Sequence, residues 1–339
     1  MTSYVDGFHY PGASQRMSYK KFGETDMELS LLGFGGGGLS GFYEEFEEDD
    51  AVEVVREALK NGINYIDTAP YYGEGRSETI IGKALKGIPR KAYYISTKVG
   101  RYCTKIDEQF NYSAEKIKSR FEISLKLLGL EYVDMIIVHD VEFAKMKDIL
   151  EEALPTLQDI VKSGKARYIG ISGYPLSRLW DVINRTNIKL DFVMCYGRDT
   201  LIDSSLDKYY PLFKSKGLGI VSAAATALQM LTNAGPQPWH PACDSIKQLC
   251  SKASDYCKEK GVELGILAIH HTLISPNTET LLVGMNSMDI LQANLELLFN
   301  KLTPAEEEVL SYIQKHILNR SDNLNWEGEE LKKFNMVMD

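Results

Sequence analysis

What most constrains this chain is an alternation, repeated eight times, of short apolar runs with longer amphipathic ones. The runs Leu29–Gly35, Ile63–Asp67, Ala92–Lys98, Val133–His139, Ala166–Ser172, Asp191–Cys195, Leu218–Ala223 and Thr280–Gly284 are mostly continuous in apolar residues. A strand that is apolar on both faces is covered on both faces, which is the condition of a parallel sheet. Between the runs, Asp50–Asn61, Glu78–Lys86, Ser113–Leu128 and Ile149–Lys162 repeat apolar residues at helical spacing. Ser113 is suited to an N-cap, and Gly62, Gly87, Gly129 and Gly164 stand where a left-handed residue closes a helix. Eight such units predict an α/β fold, a closed (β/α)8 TIM barrel. The alternative is an open doubly wound sheet, which wants a glycine turn leading directly from its first strand into a helix to hold pyrophosphate. Here Gly35–Gly38 is followed by a stretch containing Phe42, Tyr43, Glu44 and Glu45 before the next helix, a poor phosphate cradle.

The 339 residues suffice for one large core, and nothing divides residues 18–339 into two domains. Residues 1–17 are expected to form a poorly ordered polar tail. The connection Ala224–Ser245, with Pro236, Pro238 and Pro241, has the length of a functional loop. Beyond Leu302 a helical tail opens with Thr303, Pro304 and Glu306, a capped acidic start, and is expected to pack across the barrel or near its mouth. The net charge of −9 speaks against a nucleic-acid or anionic-membrane partner. No run approaches the ~18 apolar residues of a membrane span, and the first twenty lack the apolar core of a secretory signal. The five cysteines (Cys103, Cys195, Cys243, Cys250 and Cys257) show no C-x-x-C spacing, so reduced thiols in the cytoplasm and no metal site are expected. No segment specifies an oligomeric state.

Barrel enzymes place their chemistry at the carboxyl ends of the strands. Asp67 ends the second proposed strand, Lys98 the third and His139 the fourth, and Tyr72 follows Asp67 in the next loop. A phenol with its usual pKa near 10 is a slow proton donor or acceptor at neutral pH. A neighbouring ammonium favours the phenolate, and a carboxylate paired to that ammonium keeps it charged and oriented. A histidine beside them can direct the same substrate oxygen. Such a set suits proton transfer to or from a carbinol oxygen, with the hydride supplied by a cofactor. Taken singly, each residue could be a structural ion pair. Lys98 could also be the Schiff-base lysine of an aldolase.

The segments Tyr65-Ile-Asp-Thr-Ala-Pro-Tyr-Tyr-Gly-Glu-Gly-Arg-Ser-Glu, Ser96-Thr-Lys-Val-Gly and Ile137-Val-His-Asp resemble the aldo-keto reductase superfamily, and the likeness runs from about Met17 to about Trp326. Val138-His-Asp-Val-Glu-Phe, Gly235-Pro-Gln-Pro-Trp-His-Pro-Ala and Asp322-Asn-Leu-Asn-Trp are most similar to its branch of L-galactose and aldose dehydrogenases. The resemblance implies a catalytic tetrad of Asp67, Tyr72, Lys98 and His139, a nicotinamide cofactor, and a sugar or other carbonyl compound as substrate. It also implies cofactor contacts: Ser172 at the carboxamide, and Gly284, Asn286, Ser287 and Asn294 on the adenosine side. Gly37, Met194 and Ser222, at or just past strand ends, complete the candidate cofactor set. Two departures stand out. Met194 replaces a glutamine common near the nicotinamide, and Ala224-Ala225-Thr226 replaces the usual Ser-Pro-Leu. Phe42, Tyr43 and Phe46 are candidates for a substrate wall. The same superfamily includes nicotinamide-binding auxiliary subunits of potassium channels, a non-enzymatic alternative.

NAD is expected over NADP. In the superfamily the 2′-phosphate is gripped by basic residues around the eighth strand and the following helix. Here no Lys or Arg occurs from Gly261 through Asn300, and Ile290 stands where relatives using NADP often carry Arg. A basic residue from a distant loop, such as Arg198 or Lys301, is the alternative source of a phosphate contact.

Overall fold

The computed structural model describes residues 3–334. Eight parallel strands close into a barrel: β3 (Leu32–Gly35), β4 (Tyr65–Asp67), β5 (Tyr94–Val99), β6 (Val133–Val138), β7 (Ala166–Gly173), β8 (Phe192–Tyr196), β9 (Gly219–Ala223) and β10 (Thr280–Gly284). β10 pairs with both β3 and β9 and seals the ring. Each expected strand is present, with one correction. The run Leu29–Gly35 is two strands, because its first residues belong to an antiparallel hairpin of β1 (Tyr19–Lys21) and β2 (Glu28–Ser30). The hairpin stops the amino-terminal end of the barrel. Its Phe22, Met27 and Leu29 lie in one buried cluster with Tyr65, Met135 and Phe192 from the barrel interior. Gly23 makes the fit possible: its φ is +51°, and a Cβ there would lie 2.3 Å from the backbone nitrogen of Gly219.

Helices wrap the barrel for the reason their spacing suggests. In Glu48–Lys60 the buried residues are Ala51, Val54, Val55, Ala58 and Leu59, one stripe along the helix. Glu48, Asp49 and Asp50 occupy its first turn, where carboxylates meet the positive end of the helix dipole. Ser113 does cap Ala114–Leu128, and Gly62, Gly87, Gly129 and Gly164 all have positive φ. The helix expected at Ile149–Lys162 starts at Met146 and passes through a π turn at Ile149–Ala153. Pro155 follows that turn and has no N–H to continue the regular ladder, which accounts for the widening.

Residues 3–17, expected to be loose, pack against the barrel instead. Asn64 donates to Ser3 Oγ (2.9 Å), the Tyr10 N–H bonds the Lys60 carbonyl (3.0 Å), and His9, Ala13 and Met17 are buried. Their aromatic and apolar residues supply contacts that the polar composition concealed. Among the described residues no helix is long and apolar enough to cross a membrane. At the carboxyl-terminal end, the capping box of Thr303 and Glu306 opens Pro304–His316 as expected. The chain then returns over the mouth of the barrel as the turn Glu329–Lys332.

Candidate active site

The register of β4, β5 and β6 brings the chemistry together. Asp67 pairs with Ser96, and Lys98 with Ile137. Side chains alternate along a strand, so Tyr65 with Asp67, Ser96 with Lys98, and Ile137 with His139 share the inner face. Tyr65 Oη lies 2.9 Å from Ser96 Oγ, which donates to Asp67 Oδ1 at 2.7 Å and orients the carboxylate. Lys98 is 1% exposed and gives its three N–H groups to Asp67 Oδ2 (2.5 Å), the Thr68 carbonyl (3.0 Å) and Tyr72 Oη (3.0 Å). An ammonium has three donors, and here each has an acceptor. Because Tyr72 Oη accepts from Lys98, its own proton points elsewhere, into the mouth.

Tyr72 is aimed by a tight turn in which Gly73, Glu74 and Gly75 all have positive φ. Its ring meets the His139 imidazole edge to face, with centroids 5.9 Å apart. Burial pushes His139 down to about 3, so the imidazole is neutral throughout the physiological range. Burial also raises the Asp67 carboxyl against the pull of Lys98, and lowers the Lys98 ammonium against the pull of Asp67. The expected lowering of Tyr72 by the ammonium is not the net result. Burial pushes the phenol well up, Asp67 and Asp140 reinforce it, and Arg101 opposes. In this pit Tyr72 is a neutral phenol.

Several residues here were not among the sequence candidates. Arg101 donates to Asp140 Oδ2 at 2.7 Å and lies flat over the Tyr71 ring, 3.8 Å from its centroid. Asp140 sits in the left-handed region (φ 49°), its Oδ2 is 3.5 Å from His139 Nε2, and its N–H reaches Ser172 Oγ at 3.2 Å. Tyr112 holds both the His139 and Asp140 carbonyls, at 2.8 and 2.9 Å. Glu142 is buried, with Oε1 accepting from the Tyr174 N–H and Oε2 unpartnered among the described residues. Asp140, next to His139 at a strand end, could have been flagged. Arg101 could not: it lies past β5 and is returned to the mouth by the loop that bridges it to Phe110.

The candidate cofactor residues divide. Ser172 and Met194 are paired in register and face the interior, beside the mouth. Gly37 lies next to Tyr72, where a Cβ would meet the phenol ring at 3.8 Å, and Gly38 lies close enough to Gly284 that a Cβ would be 3.0 Å from its Cα. Asn286 donates to Glu44 Oε1 (2.9 Å), and Ser287 caps Met288–Phe299, in which Asn294 is buried with its Oδ1 unpartnered among the described residues. Ser222 is not brought to this face. It pairs with Cys195 and Leu281, and alternation turns it toward the outer helices, unlike Met194. The substrate wall also divides. Phe42 packs on Tyr71 and Tyr43 on Trp239, both at the mouth, whereas Phe46 lies under Arg76. A groove of about 500 Å³ lies between Glu44–Glu47 and Asn286–Met288, and no Lys or Arg lines it.

The model of the Aldo/keto reductase family matches residues 31–317. The chain belongs to that family. Within it, the chain is 37% identical over 315 residues to L-galactose dehydrogenase of Arabidopsis thaliana, covering 92% of this chain and 97% of that one. It is 31% identical over 318 residues to D-arabinose 1-dehydrogenase of Saccharomyces cerevisiae, covering 88% and 93%. Among solved structures, a holo-form aldo-keto reductase from Bacillus halodurans superposes with a TM-score of 0.68 at 26% identity, covering 91% and 99%. As a member of the aldo/keto reductases the chain is an oxidoreductase on a (β/α)8 barrel, of a family that uses nicotinamide cofactors.

Proposed function

We propose that this aldo/keto reductase transfers a hydride between NAD and the anomeric carbon of an aldose, with Tyr72 moving the proton of the carbinol oxygen. The observation that carries the reading is the buried contact chain from Asp67 through Lys98 to Tyr72 Oη. Bound nicotinamide would supply or accept the hydride, which no side chain can do. The residues present fit such a group. Among the described residues Asn294 keeps a buried acceptor without a partner, and Gly37 leaves open backbone beside Tyr72. Ser172, Gly284, Asn286 and Ser287 would hold the cofactor together with them, and Met194 offers packing where an amide would donate.

Each residue of the tetrad has a task. Asp67 keeps Lys98 charged in a pit whose burial favours the neutral amine. Lys98 fills one lone pair of Tyr72 Oη and stabilises the phenolate. For oxidation the resting phenol first releases its proton to water, and the phenolate then takes the proton of the anomeric hydroxyl. In the reverse direction the phenol gives its proton to the carbonyl oxygen. His139, neutral, donates or accepts a hydrogen bond at the same substrate oxygen without adding charge. A Schiff-base role suits Lys98 poorly, since all three of its N–H groups are engaged.

Aldose oxidation is favoured because the two relatives above are named for sugar oxidation. NAD is favoured by the groove at Glu44 and Asn286. Its lining holds five acids (Glu44, Glu45, Glu47, Asp50 and Glu53) and no base. The nearby Arg76 is already drawn to Glu45, at 3.9 Å. Arg198 is committed elsewhere, to Asp203 and Glu327. A 2′-phosphate would therefore lose water without gaining a charged donor.

The test is a screen of aldoses, aldehydes and ketones with both cofactors in both directions, followed by cofactor absorbance. Oxidation of at least one neutral aldose with NAD is expected. Cofactor binding with no turnover of any compound would replace this reading with that of a binding subunit.

A further inference from the structure

We infer that Glu330 is a specificity-determining residue: from the carboxyl-terminal segment it accepts hydroxyl groups of a neutral polyhydroxylated substrate and disfavours anionic ones. The inference rests on the aldose reading above and names the residue that selects within that class.

The segment is pinned on both sides of the mouth. Trp326 stacks on Tyr174 (4.6 Å, 15°) and meets His240 edge-on (4.8 Å), and its backbone N–H donates to Tyr174 Oη at 3.2 Å. Glu327 pairs with Arg198 at 2.7 Å. Beyond Gly328 the chain makes the turn Glu329–Lys332, and Phe334 then sets its ring edge-on against Phe110 (5.1 Å) and Phe143 (5.3 Å). Those two rings are also the ones beneath the Arg101 guanidinium, at 5.2 and 5.7 Å. Residues four apart on a helical turn share a face. The face that seats Phe334 therefore presents Glu330 to the mouth, above Arg101. The Glu330 charge accordingly bears on Arg101, Tyr71, Tyr43 and Tyr196, all of them around the pit.

Glu330 is partly buried, yet among the described residues its carboxylate makes no hydrogen bond or ion pair, whereas the neighbouring Glu327 and Asp140 do. Burial raises its carboxyl and Arg101 draws it back. An acid held in this way at the mouth, without a partner among the described residues, is matched by a donor that arrives from solution. Hydroxyl groups are such donors, and hydrogen bonds to a charged group are the stronger kind. An anionic substrate finds the opposite. Arg101 is already neutralised by Asp140 at 2.7 Å, and Lys333 is exposed outside the pit. Phe42, Tyr71, Tyr43 and Trp239 complete the match, since ring faces accommodate the apolar C–H side of a sugar while acids take its hydroxyl edge.

The experiment compares the full-length wild type, Glu330→Gln and Glu330→Asp on a neutral aldose and on the matching hexuronate, with NAD affinity followed by tryptophan fluorescence. For Glu330→Gln, KM for the aldose should rise about tenfold or more, with kcat and NAD affinity within about twofold. The preference for aldose over uronate should shrink by a similar factor, and Glu330→Asp should recover part of both. Wild type that oxidises the uronate as well as the aldose, or Glu330→Gln with an unchanged KM, overturns this inference and leaves the aldose reading standing. Loss of kcat together with NAD affinity in both variants assigns Glu330 a structural role and also overturns it. Wild type that oxidises no aldose removes the aldose reading, and this inference with it.

Discussion

On one side of the mouth, Asp67 and Lys98 hang from adjacent strands and each makes its hydrogen bonds to groups that β4, β5 and the next turn hold in place. On the other side, Glu44, Asn286, Gln237 and Trp239 belong to loops that hold one another. Asn286 bonds Glu44, while Gln237 and Trp239 bond the carbonyls of Tyr43 and Phe42 at 3.0 and 3.4 Å. The contrast teaches what each task demands. A buried charge is tolerable only where all its partners are supplied in advance, and strand ends do that. A site that admits a ligand as large as a dinucleotide is built more easily from loops that can part and close again.

The comparison can be broken on the strand side first. Tyr72→Phe should lower turnover by roughly 10²- to 10⁴-fold while NAD affinity stays within about twofold, because the phenol is asked only to move a proton. Turnover within tenfold of wild type on a good substrate would remove Tyr72 from that role.

Lys98→Met should be the costliest change for stability, about 3–5 kcal/mol in urea unfolding at pH 7, because it leaves the Asp67 carboxylate buried without its cation. Burial already raises Asp67, and without Lys98 it rises further. The folded variant can therefore take up a proton that the unfolded chain releases, and its deficit should narrow as pH falls toward 5. A deficit that stays constant with pH would mean that Asp67 is not the group left stranded.

On the loop side the expected effect is smaller. NAD should bind at least about tenfold more tightly than NADP, or 1.4 kcal/mol, in fluorescence titrations. Glu44→Lys should reduce or reverse that ratio. Tighter NADP binding by wild type would show that a basic residue outside the Glu44 groove reaches the phosphate.

The smallest effect concerns the loop after β9. His240 accepts from the Ala242 N–H at Nδ1 (3.1 Å), and its Nε2 is 3.0 Å from the Ala227 carbonyl, so the proton sits on Nε2. Burial lowers its pKa to about 4, against the usual value near 6.5 in the unfolded chain. Its contribution is therefore complete above about pH 6.5 and is lost as pH falls toward 4, by less than about 1.4 kcal/mol per unit. Thermal unfolding from pH 7 to 5 should fall more steeply for wild type than for His240→Asn. Parallel slopes would mean that His240 is protonated in the folded protein.

By itself, the sequence determined the eight strands, the outer helices, and the positions of Asp67, Lys98 and His139 at the mouth. The reason is local. Apolar runs of strand length and helical stripes set the elements, the barrel topology sends every strand end to one mouth, and a period of two sets which residues face inward. What the tertiary structure decided depends on partners remote in the chain. The hairpin that split Leu29–Gly35 exists because the barrel floor needs Phe22 and Leu29 against Phe192. Ser222 reads as a strand-end hydroxyl, and only its register with Cys195 and Leu281 turns it outward. The net rise of Tyr72 follows from burial, which Asp67 and Asp140 reinforce and Arg101 opposes, and each of these depends on how the elements close around it. Glu330 and Arg101, more than two hundred residues apart, share the mouth because Phe334 is seated on the rings beneath Arg101. Local pattern carries no record of that contact.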